Sequence, residues 1–167
     1  MAIVKTKIQK TLNDMDKFYN QTTDPNLQKY YSKLALLELC GWIEQAIDDI
    51  VLRCAKRCLT NNNHIKLVQQ EVKNTSQFDY ENNFRKLLVL TIGLMNFEKL
   101  EKSVNPVSLA ILKPKLDSLK PLRNSHAHTH IENCTQILNS PSVTKRDFTD
   151  IFNALKDYEQ TLKRLGL

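Results

Sequence analysis

Apolar residues recur along this chain at intervals of three and four positions, the period of α-helices that bury one face. Ile8, Leu12, Met15 and Tyr19 form the first such stripe and predict a helix over about residues 2–20. Asp24-Pro25 reads as an N-cap followed by proline at the first helical position. It opens the longest predicted helix, about 25–58, with Leu36, Leu39, Ile43, Ile47, Ile50, Val51 and Cys54 turned inward. The Asn61-Asn62-Asn63 run ends that helix, and a shorter one through Ile65, Leu67, Val68 and Val72 follows. After the polar stretch Lys73 to Gln77, a helix from Tyr80 to about Lys102 buries Phe84, Leu87, Leu88, Leu90, Ile92 and Leu94. Pro106 and Pro114 each start a turn of helix, and Pro121 punctuates the chain again. The last helix, about 145–165 after Thr144, carries Phe148, Ile151, Phe152, Leu155, Tyr158, Leu162 and Leu165 on its inner face.

The pattern describes an all-α fold, a helical bundle of about five helices, with residues 1–167 as a single domain. Composition sharpens this. Only 3 glycines and 5 prolines leave little material for hairpins or phosphate-cradling loops. Hydrophobic residues at 41% and charged residues at 25% are ordinary for a globular chain of this length. Lys5, Lys7, Lys10, Asp14 and Asp16 interrupt the segment Met1 to Asn20, which is therefore not expected to act as a signal peptide. No apolar run approaches the length that spans a bilayer, so no membrane partner and a cytoplasmic location are expected. Cys40, Cys54, Cys58 and Cys134 lack the spacing of a structural zinc site and read as free thiols in a reducing compartment.

The formal charge of +6 and a pI near 9.1 suit a polyanionic partner, although a merely basic surface gives the same numbers. One segment stands apart: Leu122-Arg123-Asn124-Ser125-His126-Ala127-His128-Thr129-His130. Three of the chain's 4 histidines fall here, directly after an arginine. Arginine is a permanent cation whose fork matches phosphate oxygens. Histidine is the side chain best able to exchange a proton near neutral pH. Aimed at one phosphodiester, the two form the minimum kit for metal-free RNA cleavage. The base takes the proton of the ribose 2′-OH, and the cation meets charge growing on phosphorus-bound oxygens.

Arg123-Asn124-x-x-Ala127-His128 resembles the Arg-x4–6-His signature of the HEPN superfamily, and within it the RiboL-PSP-HEPN group. Glu44, in Leu37-Glu38-Leu39-Cys40-Gly41-Trp42-Ile43-Glu44, fits the family's acidic landmark on the long preceding helix. The helical background with a late signature agrees over nearly the whole chain. The resemblance implies a HEPN-like bundle and an endoribonuclease that needs no cofactor. It assigns catalysis to Arg123, His128 and Glu44, and leaves Asn124, His126 and His130 to face the substrate. It also implies a homodimer with the Arg123–His128 segments at or near the interface. Roles in toxin–antitoxin or antiphage systems follow, with a cognate antitoxin or inhibitor as a further partner besides RNA.

The residues themselves support part of this and leave part open. Glu44 falls in the series Leu37, Cys40, Glu44, Ile47, Val51, Cys54 and Cys58, where apolar residues belong. An acid in such a seam needs a cation or hydrogen-bond donor, whether for catalysis or as a structural ion pair. Gly41, one turn earlier, points to a close approach by another helix or a simple packing need. On an unbroken helix Arg123 and His128 diverge by about 140°, whereas His126 and His130 share the arginine's face better. A helix disturbed by Pro121, or a site shared between subunits, would reconcile His128 with the signature. His126-x-His128-x-His130 also resembles part of the His-x-His-x-Asp-His motif of metallo-β-lactamase-like hydrolases. The aspartate is missing, and no metal is expected. The alternative function is a catalytically inactive HEPN-like RNA-binding or scaffold domain. A DNA-binding regulator is disfavoured, since no helix-turn-helix with a basic recognition helix stands out.

Overall fold

A computed structural model of the chain describes residues 3–75, 77–130 and 138–167. Among the described residues seven α-helices run in the order α1 (Thr6–Gln21), α2 (Pro25–Cys58), α3 (Asn62–Asn74), α4 (Arg85–Ile92), α5 (Leu94–Ser103), α6 (Pro106–Ala127) and α7 (Pro141–Arg164). A π-helical turn, Tyr80–Phe84, leads into α4, and no strand occurs among the described residues. α2 is the axis of the bundle and packs against α1, α3, α4, α6 and α7.

The start signals act as the sequence indicates. Asp24 Oδ1 accepts the Asn26 N–H at 2.8 Å and Pro25 occupies the first turn, so α2 begins where it is expected. Leu36, Leu39, Ile43, Ile47, Ile50, Val51 and Cys54 are all buried. Asn61 caps α3 by accepting from Asn63 N–H at 2.9 Å. Asn105 caps α6 through Val107 N–H at 2.9 Å.

Several expectations need correction. Among the described residues the bundle has seven α-helices rather than about five, because two predicted elements divide or extend. The predicted Tyr80–Lys102 helix breaks at Gly93, whose φ of +78° only glycine adopts without strain. The break resets the helical phase. Leu90 and Leu94 are exposed, and Phe97 and Leu100 are buried in their place. The proline-punctuated segment is instead one helix, α6, through both Pro114 and Pro121. Both prolines lie on its exposed face, and Leu112, Leu116 and Leu119 are buried on the other. Tertiary burial thus outweighs the lost backbone bonds, whose carbonyls (Ala110 and Asp117) belong to exposed residues.

The ends also shift. Residues 3–5 precede α1 as a strap: Ile3 N–H donates to Glu159 Oε2 at 3.2 Å, and Trp42 Nε1–H to the Val4 carbonyl at 2.9 Å. α7 starts at Pro141 rather than 145 and ends before Leu165, which is exposed. Cys134 lies outside the described residues. Cys40, Cys54 and Cys58 are free thiols. No helix among the described residues is long and apolar enough to cross a membrane.

Candidate active site

Two helices meet where the sequence singled out residues. α2 carries Glu44 on its half-exposed edge, and the last turn and a half of α6 carries Arg123. Arg123 Nη2 donates to Glu44 Oε1 at 2.6 Å, and both side chains are 26% exposed. Arg123 Nη1 donates to Asn124 Oδ1 at 3.0 Å. The acid in the apolar series is therefore met by the cation of the Arg-Asn-x-x-Ala-His segment, across 79 positions of sequence. Burial pushes the Glu44 carboxyl above the usual carboxylate range, and the charge and hydrogen bond of Arg123 pull it back only in part. Behind the pair, Cys40 is buried and its thiol is pushed up to about 12, first by burial. Such a thiol stays protonated and is no nucleophile.

The histidines separate. α6 ends at Ala127, and His128 is its C-cap residue, exposed like His130. His126, in the last turn, is 1% exposed. Burial, then the nearby charge of Lys33, holds its imidazole below the ordinary value, so it is neutral at pH 7. The helix is unbroken through Pro121, so that proline does not bring Arg123 and His128 onto one face. Asn124 is exposed beside Arg123. Among the described residues, no three of His, Cys, Asp and Glu gather as metal ligands do.

Two residues of the site are not among the sequence candidates. Lys33 Nζ donates to the Thr129 carbonyl at 2.6 Å and so ties the chain beyond α6 back to α2. Its position three turns before Glu44, on nearly the same edge of α2, was the available signal. Asp48, one turn beyond Glu44, is half-buried, and its carboxyl is pushed up to about 6 by burial, then by Glu44 and Asp49. Among the described residues, Gly41 marks no close helix approach: a Cβ built on it meets nothing within 4 Å.

The family model described as RiboL-PSP-HEPN matches residues 5–165. No curated protein matches the chain, and no solved structure does.

Proposed function

The chain belongs to the RiboL-PSP-HEPN family, and on that footing we propose that it is a metal-independent RNA endonuclease acting through Arg123 and His128. HEPN membership supports an RNase-like or RNA-related function in general. The observation that carries the finer reading is the Glu44–Arg123 pair at 2.6 Å, with His128 exposed at the end of the same helix. His128 takes the proton of the ribose 2′-OH, the oxygen attacks the adjacent phosphorus, and the P–O5′ bond breaks to release a 5′-hydroxyl that takes its proton from water. Arg123 meets the charge that develops on the phosphoryl oxygens. Glu44 holds the guanidinium in place and transfers no proton. Asn124 braces the arginine from its exposed side and can contact the sugar-phosphate chain. His130 is placed for the same contact, whereas the burial of His126 suits a positioning role better than contact with RNA.

The divergence of Arg123 and His128 around α6 favours a homodimer in which these segments from both chains border one cleft. The family resemblance adds a toxin or antiphage setting in the cytoplasm, with a cognate inhibitor as partner.

Cleavage by this route leaves a 2′,3′-cyclic phosphate or its hydrolysis product, and DNA of the same sequence stays intact because it lacks the 2′-OH. End-group analysis of products checks this, and a 3′-hydroxyl with a 5′-phosphate contradicts it. Glu44→Gln keeps a hydrogen-bond acceptor but removes the charge that orients Arg123. Turnover is expected to fall about tenfold, with an unchanged helical circular-dichroism spectrum and retained RNA binding. A variant with wild-type turnover leaves Glu44 as a structural acid.

A further inference from the structure

Gly41 is a residue that the chain's own packing does not explain. A glycine in a helix interior weakens the helix relative to alanine. Its φ is not positive, and a Cβ there meets nothing among the described residues, so neither backbone nor neighbour asks for it. It borders a groove of about 250 Å³ between α1 and α2. That is smaller than the pockets of drug-sized ligands, about 300–1,000 Å³, and suits a single planar ring system.

The walls of the groove carry the chemistry that reads a nucleobase. Trp42, the only tryptophan in the chain, lines one wall. Its Nε1–H donates to the Val4 carbonyl at 2.9 Å, and its ring meets Phe148 edge-on with centroids 5.0 Å apart. The indole is thus held in place before anything binds, as a stacking platform requires. Glu38 and Gln45 from α2, and Lys7 and Thr11 from α1, bring polar groups to the same groove. Among the described residues, the side chains of Lys7, Glu38 and Gln45 are engaged by no hydrogen bond or ion pair.

Position ties the groove to the candidate site. At 100° per residue, Glu38 and Gln45 lie about 60° and 40° to one side of Gly41, and Glu44 lies about 60° to the other. Glu44 is only about 4.5 Å further along the helix axis. Bare backbone at Gly41 therefore lies between the groove and the Glu44–Arg123 pair, where any other residue would raise a side chain. A nucleotide whose phosphate meets Arg123 can lay its base across Gly41 into the groove.

The pattern of donors and acceptors selects the base. Glu38 supplies two acceptor oxygens, and Lys7 and Gln45 supply N–H donors. Guanine is the RNA base that presents two adjacent donors, N1–H and N2–H, beside the acceptors O6 and N7. Adenine and cytosine each set one amino donor next to an acceptor, and uracil sets a single N–H between two acceptors.

We propose that this groove is a guanine-selective subsite for single-stranded RNA. Trp42 stacks on the base, Glu38 accepts from N1–H and N2–H, and Lys7 and Gln45 donate to O6 and N7. This deepens the ribonuclease reading above, on which it rests for the use of the subsite in cleavage but not for base binding itself.

Two 2′-O-methyl pentanucleotides, UUGUU and UUAUU, test the subsite without being cleaved, because their 2′-oxygens are blocked. With one tryptophan in the chain, quenching of its fluorescence reports on the groove directly. UUGUU is expected to quench Trp42 and to bind about tenfold tighter than UUAUU. Glu38→Gln turns one acceptor into a donor and brings UUGUU down to the affinity of UUAUU. Gly41→Leu favours the helix and fills the path, so it melts no lower than wild type yet abolishes the quench. Equal affinity for the two pentanucleotides, or binding of neither, overturns the subsite; so does a guanine preference that survives Glu38→Gln or Gly41→Leu. Cleavage of unmodified RNA by the same samples separates the two readings. A protein that prefers UUGUU but cleaves no RNA keeps the subsite and loses the ribonuclease assignment. One that cleaves RNA but binds the two pentanucleotides equally loses the subsite alone.

Discussion

Arg123→Ala is expected to lower RNA cleavage about 100- to 1,000-fold, the usual cost of removing a preorganised group that meets developing charge. His128→Ala is expected to match it within the 10²–10⁴-fold range of general-base loss. Two consequences make the arginine variant informative beyond its rate. Glu44 loses the partner at 2.6 Å that offsets its burial, so its carboxyl moves further above the ordinary range. The pair is partly exposed, so water replaces part of the lost contact and the fold survives with modest destabilisation. Single-turnover rates beside thermal melts check both points. A large drop in melting temperature with proportionate loss of activity would mean that Arg123 serves structure alone.

Glu159→Ala is expected to destabilise the fold by about 1–3 kcal/mol, the cost of leaving its donors without their buried acceptor. Glu159 is 2% exposed and accepts from Arg53 Nε at 3.0 Å, Lys163 Nζ at 3.2 Å and Ile3 N–H at 3.2 Å. The residue thus joins α2, α7 and the N-terminal strap. Burial pushes its carboxyl up, but the Lys163 bond, the Arg53 charge and the Ile3 N–H outweigh burial and hold it below the usual carboxylate range. A depressed carboxylate stabilises the fold above its unfolded pKa and loses that contribution as pH falls through the folded value. The difference in melting temperature between wild type and variant is therefore full at pH 7 and shrinks below about pH 4. A pH-independent difference would assign the effect to packing.

Legibility from sequence followed the reach of each interaction. α2 was readable because its signals are local: an Asp-Pro cap, three–four apolar spacing and a polar Asn run. Glu44 was readable as an acid out of place, and the Arg-Asn-x-x-Ala-His segment as a signature, so the two halves of the ion pair were both flagged. That they meet is a tertiary fact. Gly93 was invisible as a break because glycine is tolerated inside helices, and only its positive φ shows which use it serves. Pro114 and Pro121 misled for the opposite reason. Proline is a strong local stop, and the burial of Leu112, Leu116 and Leu119 that overrides it depends on partners far along the chain. Lys33 escaped for the same cause, since its contact with the Thr129 carbonyl spans 96 positions. His126 was ranked with its neighbours although it alone of the three is buried; its place in the last turn of α6 appears only once the helix is seen to continue past Pro121.

The central claim is that Arg123 and His128 cleave RNA without a metal, and incubation of pure protein with mixed RNAs in excess EDTA tests it most directly. The wild-type chain is expected to cleave at its EDTA-free rate and leave 2′,3′-cyclic phosphate ends, while Arg123→Ala, still folded, cleaves about 100- to 1,000-fold more slowly. Activity that disappears on chelation and returns with zinc, or that persists undiminished in Arg123→Ala, would contradict it.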